Sequence, residues 1–459
     1  MPGDATANKQ RPSWLKQLRH IFGEQPEHEY VLSGCSFAEV YRMAGWLKEL
    51  YSSADFSADT ICLAAENKAV IAAALLASLD GGPVLLLPFA FSSHVLAEMQ
   101  EATGFVYAIT DVERDFPDGT KLIHPAPDHD SSTEIDFDID PDAELLRLFT
   151  GGTTGTPKSW SKTADNLFSE AFYLSEKYKI TSQDLIVATV SPYHIYGLLF
   201  SVLLPLLSSA TVVAETPSFP GEIINSVQSN GATIFVSVPV HYRILKGRRT
   251  SDNSLRLAFS SAGMLDQTDN EDFCKQNGIP VVEVYGSTET GGIATRIRCQ
   301  KELAFYPFDT VTWKVVDEEL YVCSTHLGPG LERGNDGFFI ANDRVEIAQS
   351  GSFLLKGRSD TVTKVGGKRV DLGLIQETIK KQSGVEDCLV LSIAESGGRE
   401  NMIAALVQPE TINIKELRAK IASQLEPYAH PRFLKKTARF PLTASGKYDL
   451  AAIKQLFEK

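Results

Sequence analysis

The first part of the chain, to about residue 350, alternates between hydrophobic patterns of helical period and short, continuous hydrophobic runs. Helical spacing follows Ser36, a predicted N-cap, and recurs in "KAVIAAALLASLDG", which ends in a glycine. Continuous apolar runs bounded by turn residues predict buried strands. They occur in "DTICLAAEN", "GPVLLLPF", "DLIVATVSP", "ATVVAE", "ATIFVSVP" and "LRLAFSSAG". This alternation predicts an α/β fold whose strands are mostly parallel and buried.

The pattern changes from about Val311 onward, where short strand-like runs alternate with turns rich in glycine and aspartate. The spacing beyond these runs predicts a helix over 372–383, strands over 387–394 and 402–407, and a helix over 414–424. The sequence therefore predicts a large N-terminal body of α/β subdomains with a β-rich part, followed by a small α+β C-terminal domain.

Composition and charge limit the possible functions. The 459 residues are too many for one compact core, so at least two domains are expected. The net charge of −14 argues against a nucleic-acid partner, which would need a basic surface. From Asp360 onward there are 16 basic and 12 acidic side chains, a net charge of +4, against −18 for the rest. A basic domain after an acidic body suits a mobile lid that closes on an anionic ligand, although chance segregation gives the same division.

Cysteine usage and hydrophobicity bear on location. None of the six cysteines lies in a CxxC pair, which favours unpaired thiols in a reducing compartment. The N-terminal residues contain no apolar stretch typical of a secretory signal. The most lipid-like segment, 195–214, is interrupted by Gly197 and Pro205, so it is interpreted as a buried helix followed by a buried strand. We therefore expect a cytoplasmic protein without a membrane span.

Candidate chemistry begins in the stretch "LFTGGTTGTPKSW", which has the features of a phosphate-binding loop. Glycines let the backbone approach a ligand and expose amide groups as an anion-binding nest. Threonines add hydroxyl donors, and the lysine adds a positive charge. The candidate contacts are Thr150, Gly151, Gly152, Thr153, Thr154, Gly155 and Lys158.

Other nucleotide and hydrolase motifs do not fit. Walker A requires glycine directly before its lysine, where this chain has Pro157. No GxGxxG follows a predicted strand, so a dinucleotide-binding fold is unsupported. GxSxG also fails at Ser287, which has Gly286 directly before it.

Three later stretches identify the kind of phosphate loop: "VYGSTETGG" at 284–292, "LLKGRSDTVTKVGGKRV" at 354–370 and "PLTASGKYDL" at 441–450. In this order, the four stretches resemble the adenylate-forming superfamily of acyl- and aryl-CoA synthetases, nonribosomal-peptide adenylation domains and luciferases. The resemblance covers nearly the whole chain. It implies that the protein joins a carboxylic acid to AMP using Mg-ATP, releases pyrophosphate and passes the acyl group to a thiol.

The resemblance also implies a domain division. Residues 1–357 would form the adenylation body, and 361–459 would form the C-terminal lid. Residues 358–360 would form the hinge between them, about which the lid rotates. A lysine on the lid, Lys447, would bridge the substrate carboxylate and the α-phosphate and offset charge in the transition state.

Nucleotide contacts follow from the resemblance motif by motif. The opening loop would hold the β- and γ-phosphates, although Gly152 stands where the family usually has serine. Tyr285, followed by Gly286, would stack on adenine. Thr288 would contact the α-phosphate, and Glu289 would hold Mg²⁺. The loop that lines adenine and the acyl group corresponds to Ser261, Ala262 and Gly263.

The remaining contacts lie later in the chain. Asp343 matches the acid that binds the ribose hydroxyls, although Ala341 and Asn342 stand where the family usually has threonine and glycine. Arg358 matches a second ribose or phosphate contact. For the thiol step, the resemblance implies that the loop containing Lys364, Gly366 and Gly367 enters the site and lets a pantetheine arm pass close to the backbone.

The acid substrate would begin its contacts in "SPYHIYGLLF". Relatives that activate amino acids usually place an aspartate there, whereas this chain has His194 between Tyr193 and Tyr196. An aryl, arylacrylic or fatty acid is therefore favoured. Val238, Pro239 and Tyr242 could line the acyl pocket or belong to the core.

Three alternatives remain open at this point. The acceptor thiol could belong to CoA or to the phosphopantetheine of an acyl carrier protein, since a basic lid suits either. A degenerate relative that binds nucleotide without catalysis is the third, favoured by the departures at Gly152 and Ala341. The oligomeric state is not determined by the sequence.

Overall fold

The computed structural model describes residues 12–24, 27–129, 133, 135, 139–150, 158–300, 302–349, 351–358, 362–365, 368–394, 401–443 and 448–457. The chain forms two compact units. Of the described residues, the larger unit comprises those within 12–150, 158–312 and 323–332. The smaller comprises those within 313–322 and 333–457.

A nine-stranded sheet forms one half of the larger unit. Its inner strands pair in parallel, whereas the last two strands at one edge and the last strand at the other pair antiparallel with their neighbours. In spatial order the strands are β15 (Tyr306–Pro307), β14 (Gly291–Arg296), β13 (Val281–Ser287), β12 (Leu257–Ser260), β11 (Ile234–Ser237), β9 (Leu185–Ala188), β10 (Thr211–Val212), β1 (Glu29–Val31) and β2 (Cys35–Ser36).

A six-stranded sheet forms the other half. Its strands are parallel except for β8, which pairs with β7 in a hairpin. In spatial order they are β6 (Lys121–Ile123), β5 (Tyr107–Ile109), β3 (Thr60–Leu63), β4 (Val84–Leu87), β7 (Glu144–Thr150) and β8 (Lys158–Thr163). The predicted α/β body with mostly parallel strands is confirmed.

Helices connect the parallel strands. They are α1 (Ser13–Glu24), α2 (Phe37–Tyr51), α3 (Lys68–Leu79), α4 (Ser93–Thr103), α5 (Ala164–Tyr178), α6 (Ile195–Leu198), α7 (Leu204–Ser208), α8 (Pro220–Asn230), α9 (Pro239–Ile244) and α10 (Gln267–Asn277). A π-helical turn, Leu199–Leu203, joins α6 to α7. Ser36 caps α2 in a capping box with Glu39, as its sequence position predicts. Every residue of α3 is buried.

Core packing settles one alternative left open by the sequence. Tyr242 is 1% exposed, and its hydroxyl donates to the main-chain oxygen of Phe259 at 2.8 Å. Its ring packs with Phe235 and Phe273 between the sheet and the helices on one face. Tyr242 therefore belongs to the core. Among the described residues, no helix has both the length and the hydrophobicity required to cross a bilayer.

The smaller unit has a β-rich and an α+β part. A four-stranded sheet contains β16 (Thr312–Val316), β17 (Glu319–Cys323), β18 (Phe339–Ile347) and β19 (Phe353–Arg358). The hairpin β20 (Val362–Val365) and β21 (Lys368–Asp371) follows. The three-stranded sheet of β22 (Asp387–Ala394), β23 (Asn401–Gln408) and β24 (Phe433–Lys436) packs with α11 (Leu372–Lys380), α12 (Ile414–Ala422) and α13 (Leu450–Gln455).

The predicted elements of this unit are confirmed, with helix ends two or three residues earlier than the sequence pattern predicts. Strands within 333–358 group with the C-terminal part in the packing. The predicted hinge at 358–360 stays a prediction, since residues 359 and 360 lie outside the described ranges.

Candidate active site

The parallel strands of the nine-stranded sheet end at one edge, which brings together the loops after β9, β11, β12 and β13. The hydroxyl of Ser261, after β12, donates to the main-chain oxygen of Val284 in β13 at 2.8 Å. A β-carbon at Gly263 would lie 3.6 Å from Cγ of Pro239, at the start of α9. Ala262, between them, has a φ of 65°. The predicted loop 261–263 therefore lies against the strand that carries the predicted adenine contact and leads to the predicted metal contact.

A tight turn between β13 and β14 carries Thr288 and Glu289. The N–H of Ser287 donates to Oγ1 of Thr290 at 3.1 Å, and the N–H of Thr290 donates to Oγ of Ser287 at 3.2 Å. The side chains of Thr288 and Glu289 are half-buried, and neither has a hydrogen-bond partner among the residues that the structure describes. The carboxylate suits a hard cation such as Mg²⁺, and the hydroxyl suits a phosphate oxygen.

The strand before this turn is closely packed. A β-carbon at Gly286 would lie 2.2 Å from the main-chain oxygen of Gly291, so only glycine fits there. The half-buried ring of Tyr285 lies against Phe305, with ring centroids 5.6 Å apart. The packing explains why the motif contains Gly286, while stacking of adenine on Tyr285 stays a prediction.

A buried polar cluster, which sequence reasoning missed, lies beneath the turn. Lys162 in β8 is 1% exposed, and its Nζ donates to the main-chain oxygens of Glu289 at 3.1 Å and His326 at 3.2 Å. Glu170 in α5 is 3% exposed and accepts the N–H of Gly292 at 2.8 Å. Burial lowers the pKa of Lys162 to about 8, although the nearby carboxylates of Glu170 and Glu289 raise it.

The hairpin β7–β8 holds the two ends of the predicted phosphate loop. Thr150 and Lys158 are directly paired across it. The indole N–H of Trp160 donates to Oγ1 of Thr150 at 3.2 Å, so this bulky residue orients the hydroxyl at the base of the loop. Lys158 is exposed. The other predicted contacts of this loop, Gly151, Gly152, Thr153, Thr154 and Gly155, lie outside the described residues.

The loop after β9 joins the two sheets at their carboxyl edges. The hydroxyl of Tyr193 donates at 2.7 Å to the main-chain oxygen of Ala65, which follows β3 in the six-stranded sheet. His194 occupies the N-cap position of α6 and is half-buried. Tyr196, two residues further along, is buried against Phe200 with ring centroids 5.0 Å apart. The predicted acyl-site segment is therefore anchored at the same edge as the turn of Thr288 and Glu289.

A second histidine, which the sequence did not single out, lies on the same edge. Nδ1 of His241 in α9 is 2.7 Å from Oγ1 of Thr189, which in turn is 2.7 Å from Oγ of Ser237. Burial lowers the pKa of His241 to about 4, so the imidazole is uncharged at neutral pH.

The smaller unit carries the other predicted contacts. Asp343 in β18 and Arg358 in β19 are directly paired across the sheet, so the predicted ribose contacts are neighbours. Asn342 has a φ of 56°, the left-handed conformation that the family's glycine would adopt readily. Lys364 lies in β20, paired with Arg369. Gly366, Gly367 and Lys447 lie outside the described residues.

Comparison with known proteins gives consistent matches along the chain. A sequence model described as AMP-binding enzyme matches residues 38–336, and one described as AMP-binding enzyme C-terminal domain matches residues 374–447. Sulfoacetate–CoA ligase from Cupriavidus necator is 24% identical, over 92% of this chain and 93% of that protein.

Two solved structures are similar over nearly their whole length. The ATP-bound structure of MatB from Rhodopseudomonas palustris has a TM-score of 0.81 at 20% identity, covering 97% of this chain and 99% of that chain. O-succinylbenzoate coenzyme A synthetase from Bacillus subtilis, in complex with ATP and magnesium ion, has a TM-score of 0.78 at 20% identity, with the same coverage of 97% and 99%.

Proposed function

The chain belongs to the AMP-binding enzyme family, which confirms the adenylate-forming superfamily expected from its motifs, and on this premise we propose that it is an acid–CoA ligase. The proposed reaction joins a carboxylic acid to AMP, releases pyrophosphate from Mg-ATP, and transfers the acyl group to the thiol of CoA. The observation that carries the proposal is the turn of Thr288 and Glu289, which follows the strand that the 261–263 loop contacts at the carboxyl edge of a parallel sheet.

Residues of this edge have distinct proposed roles. Glu289 supplies a carboxylate oxygen to Mg²⁺, which, when bound, neutralises charge on the phosphates. Thr288 donates to the α-phosphate, while Thr150 and Lys158 contact the β- and γ-phosphates. Tyr285 stacks on adenine. These groups orient the α-phosphorus so that the carboxylate of the acid can attack it from the side opposite the pyrophosphate leaving group.

Residues later in the chain have proposed roles in the two halves of the reaction. Asp343 and Arg358 hold the ribose, and Lys447 bridges the acid's carboxylate and the α-phosphate during adenylation. Lys364, Gly366 and Gly367 serve the thiol step, for which CoA is the proposed acceptor. Phosphopantetheine on an acyl carrier protein is the alternative acceptor.

The acid substrate is proposed to lack an α-ammonium group. His194 stands where amino-acid-activating relatives usually place an aspartate, and His241 at the same sheet edge is uncharged. Neither imidazole carries the negative charge with which an aspartate pairs an ammonium group. Aryl, arylacrylic and fatty acids are the preferred candidates. Two similar proteins, sulfoacetate–CoA ligase and O-succinylbenzoate coenzyme A synthetase, add acids with a second anionic group to the candidates for assay.

ATP–pyrophosphate exchange tests the proposal. Purified protein is assayed with aryl, arylacrylic, short- and long-chain fatty, sulfonated and dicarboxylic acids, together with amino acids. We expect exchange with a carboxylic acid that is not an amino acid. The exchange rate should fall about a hundredfold in Glu289→Gln and in Lys447→Ala. The exposed helix residue Glu271, changed to Gln, is the matched control and should retain exchange.

The acceptor is then identified by adding CoA or a carrier protein to the acid that gives exchange, and measuring thioester formation. Measurable ATP binding without exchange for any acid would contradict the ligase proposal and favour the degenerate relative.

A further inference from the structure

The main-chain carbonyl of Glu289 is held from below by two donors. Nζ of the buried Lys162 donates to it at 3.1 Å, and the N–H of Gly328 donates to it at 3.0 Å. The same lysine donates to the main-chain oxygen of His326 at 3.2 Å. Lys162 therefore links the turn of Thr288 and Glu289 to the segment 323–332. Since the carbonyl and the carboxylate belong to one residue, fixing the first limits where the second can reach.

The charge of Lys162 is retained at a cost. Moving an ammonium group out of water is unfavourable, and an apolar side chain of similar volume is often at least as stabilising. The buried carboxylate of Glu170 offsets part of this cost, because it lies close enough to raise the pKa of Lys162. An ammonium group has three donors, so Lys162 can hold the main-chain oxygens of Glu289 and His326 at the same time.

The packing around the turn leaves little room for movement. A β-carbon at Gly291 would lie 2.5 Å from Oε2 of Glu170 and 2.8 Å from Cβ of His326. One at Gly292 would lie 2.6 Å from Oε1 of Glu170. The backbone on the β14 side of the turn thus rests directly on the cluster. A displacement of the cluster is therefore transmitted to Thr288 and Glu289.

Lys162 also lies on the strand that leaves the phosphate loop. Lys158 begins β8, and Lys162 is four residues further along the same strand face. Lys158 is exposed whereas Lys162 is buried. One strand therefore connects the proposed triphosphate contact to the carbonyl of the proposed metal ligand.

We propose that Lys162 is a positioning residue, which sets the carboxylate of Glu289 relative to the phosphate loop so that Mg²⁺ and ATP bind together. This inference rests on the proposed function of the site. In this proposal Lys162 contacts neither the nucleotide nor the metal, and it acts through the backbone of Glu289.

The test compares Lys162→Met with Lys68→Met. Lys68 is a matched control because it is also 1% exposed and donates to main-chain oxygens, those of Val213, Ala214 and Glu215, at 2.7–3.0 Å. Within the described part of the chain, its hydrogen bonds involve none of the proposed site residues. Calorimetry measures ATP affinity with Mg²⁺ and with a chelator in its place. Hydrogen exchange measures protection of residues 285–292 in the protein without ligand.

We expect Lys162→Met to weaken ATP binding in Mg²⁺ by about tenfold or more, with little change in the chelator, and to accelerate exchange in 285–292. Lys68→Met should leave both readouts unchanged. An unchanged Mg²⁺ dependence in Lys162→Met, or an equal loss in Lys68→Met, would overturn the inference.

Two further measurements keep the outcomes separate. If Lys162→Met does not fold, Lys162→Gln retains one amide donor and is compared with Lys68→Gln, with the same two results supporting or overturning the inference. Pyrophosphate exchange by the unchanged protein is measured alongside. Its absence counts against the proposed ligase, whereas the Mg²⁺ dependence of ATP binding judges Lys162 independently of turnover.

Discussion

Two buried lysines, Lys68 and Lys162, join the two sheets of the larger unit in similar ways. Comparing them distinguishes a contact that only stabilises the fold from one that also supports the candidate site. Lys68 begins α3, after a strand of the six-stranded sheet, and binds the main chain that follows β10 in the nine-stranded sheet. Lys162 lies in β8 of the six-stranded sheet and binds the turn after β13. Burial lowers the pKa of each to about 8.

The two differ in their counter-charge and in what they hold. Lys68 satisfies three successive carbonyls, and its nearest carboxylate, Glu215, is exposed. Lys162 is accompanied by the buried Glu170 and holds the carbonyl of a candidate metal ligand. A lysine with several backbone acceptors is sufficient to link the sheets. Only the lysine beneath the candidate site, Lys162, has a buried carboxylate, that of Glu170, beside it.

The largest expected effect on stability is that of Lys162→Met. Removing the lysine leaves Glu170 buried without its cation, so we expect the free energy of unfolding to fall by about 3–5 kcal/mol. Lys68→Met leaves unsatisfied carbonyls but no buried charge, and should cost about 1–3 kcal/mol. Urea denaturation of both variants measures the difference. A greater loss for Lys68→Met would break the comparison.

The next effect is a dependence on pH shared by both lysines. Each folded-state pKa of about 8 lies below the unfolded value of about 10.4, so the unfavourable contribution of burial is complete below pH 8. It disappears as the pH rises toward 10.4, because the folded protein releases the proton first. The stability advantage over each methionine variant should therefore rise by up to about 3 kcal/mol between pH 8 and 10.5. Denaturation at several pH values checks this, and a constant difference would show that burial does not shift these amines.

A smaller effect is expected for Glu170→Gln, which retains an oxygen to accept the N–H of Gly292 but removes the charge. We expect a loss of about 1–2 kcal/mol in the unchanged background. Combined with Lys162→Met, the loss should be less than the sum, with a coupling of about 1–3 kcal/mol. A double-mutant cycle measures it. Additive losses would mean that the two charges do not act as a pair.

The smallest effect is expected for Glu215→Gln, the corresponding change beside Lys68. Its carboxylate is exposed, so solvent screens the interaction and the change should stay within about 0.5 kcal/mol. Thermal unfolding measures the shift. A loss as large as that of Glu170→Gln would remove the distinction between the two lysines.

The sequence predicted those parts of the site that follow strands. Ser261 and Tyr285 were found because each belongs to a recognisable motif after or within a buried apolar run. Parallel pairing of β12 and β13 then brings them together. The same reasoning could not find Lys162. In "KSWSKT" both lysines occupy one strand face, and nothing in the strand itself distinguishes Lys158, which is exposed, from Lys162, which is buried.

Burial of Lys162 depends on residues far away in the chain. Its acceptors are the main-chain oxygens of Glu289 and His326, 127 and 164 positions later. Main-chain acceptors leave no trace in residue identity, so sequence patterns cannot reveal them. Tyr242 illustrates the same limit, because an apolar position beside a loop suits a pocket or a core until the packing is known.

The complete burial of α3 has a consequence for how the protein would react with amine-modifying reagents. At pH 8 an amine with a pKa of about 8 is half unprotonated, so a far larger fraction of it is in the nucleophilic neutral form than for a surface lysine. Lys68, at the start of this helix, is nevertheless inaccessible, so it reacts only when the helix separates from the main chain that follows β10. The rate at which Lys68 is labelled would therefore report how often the interface between the two sheets opens.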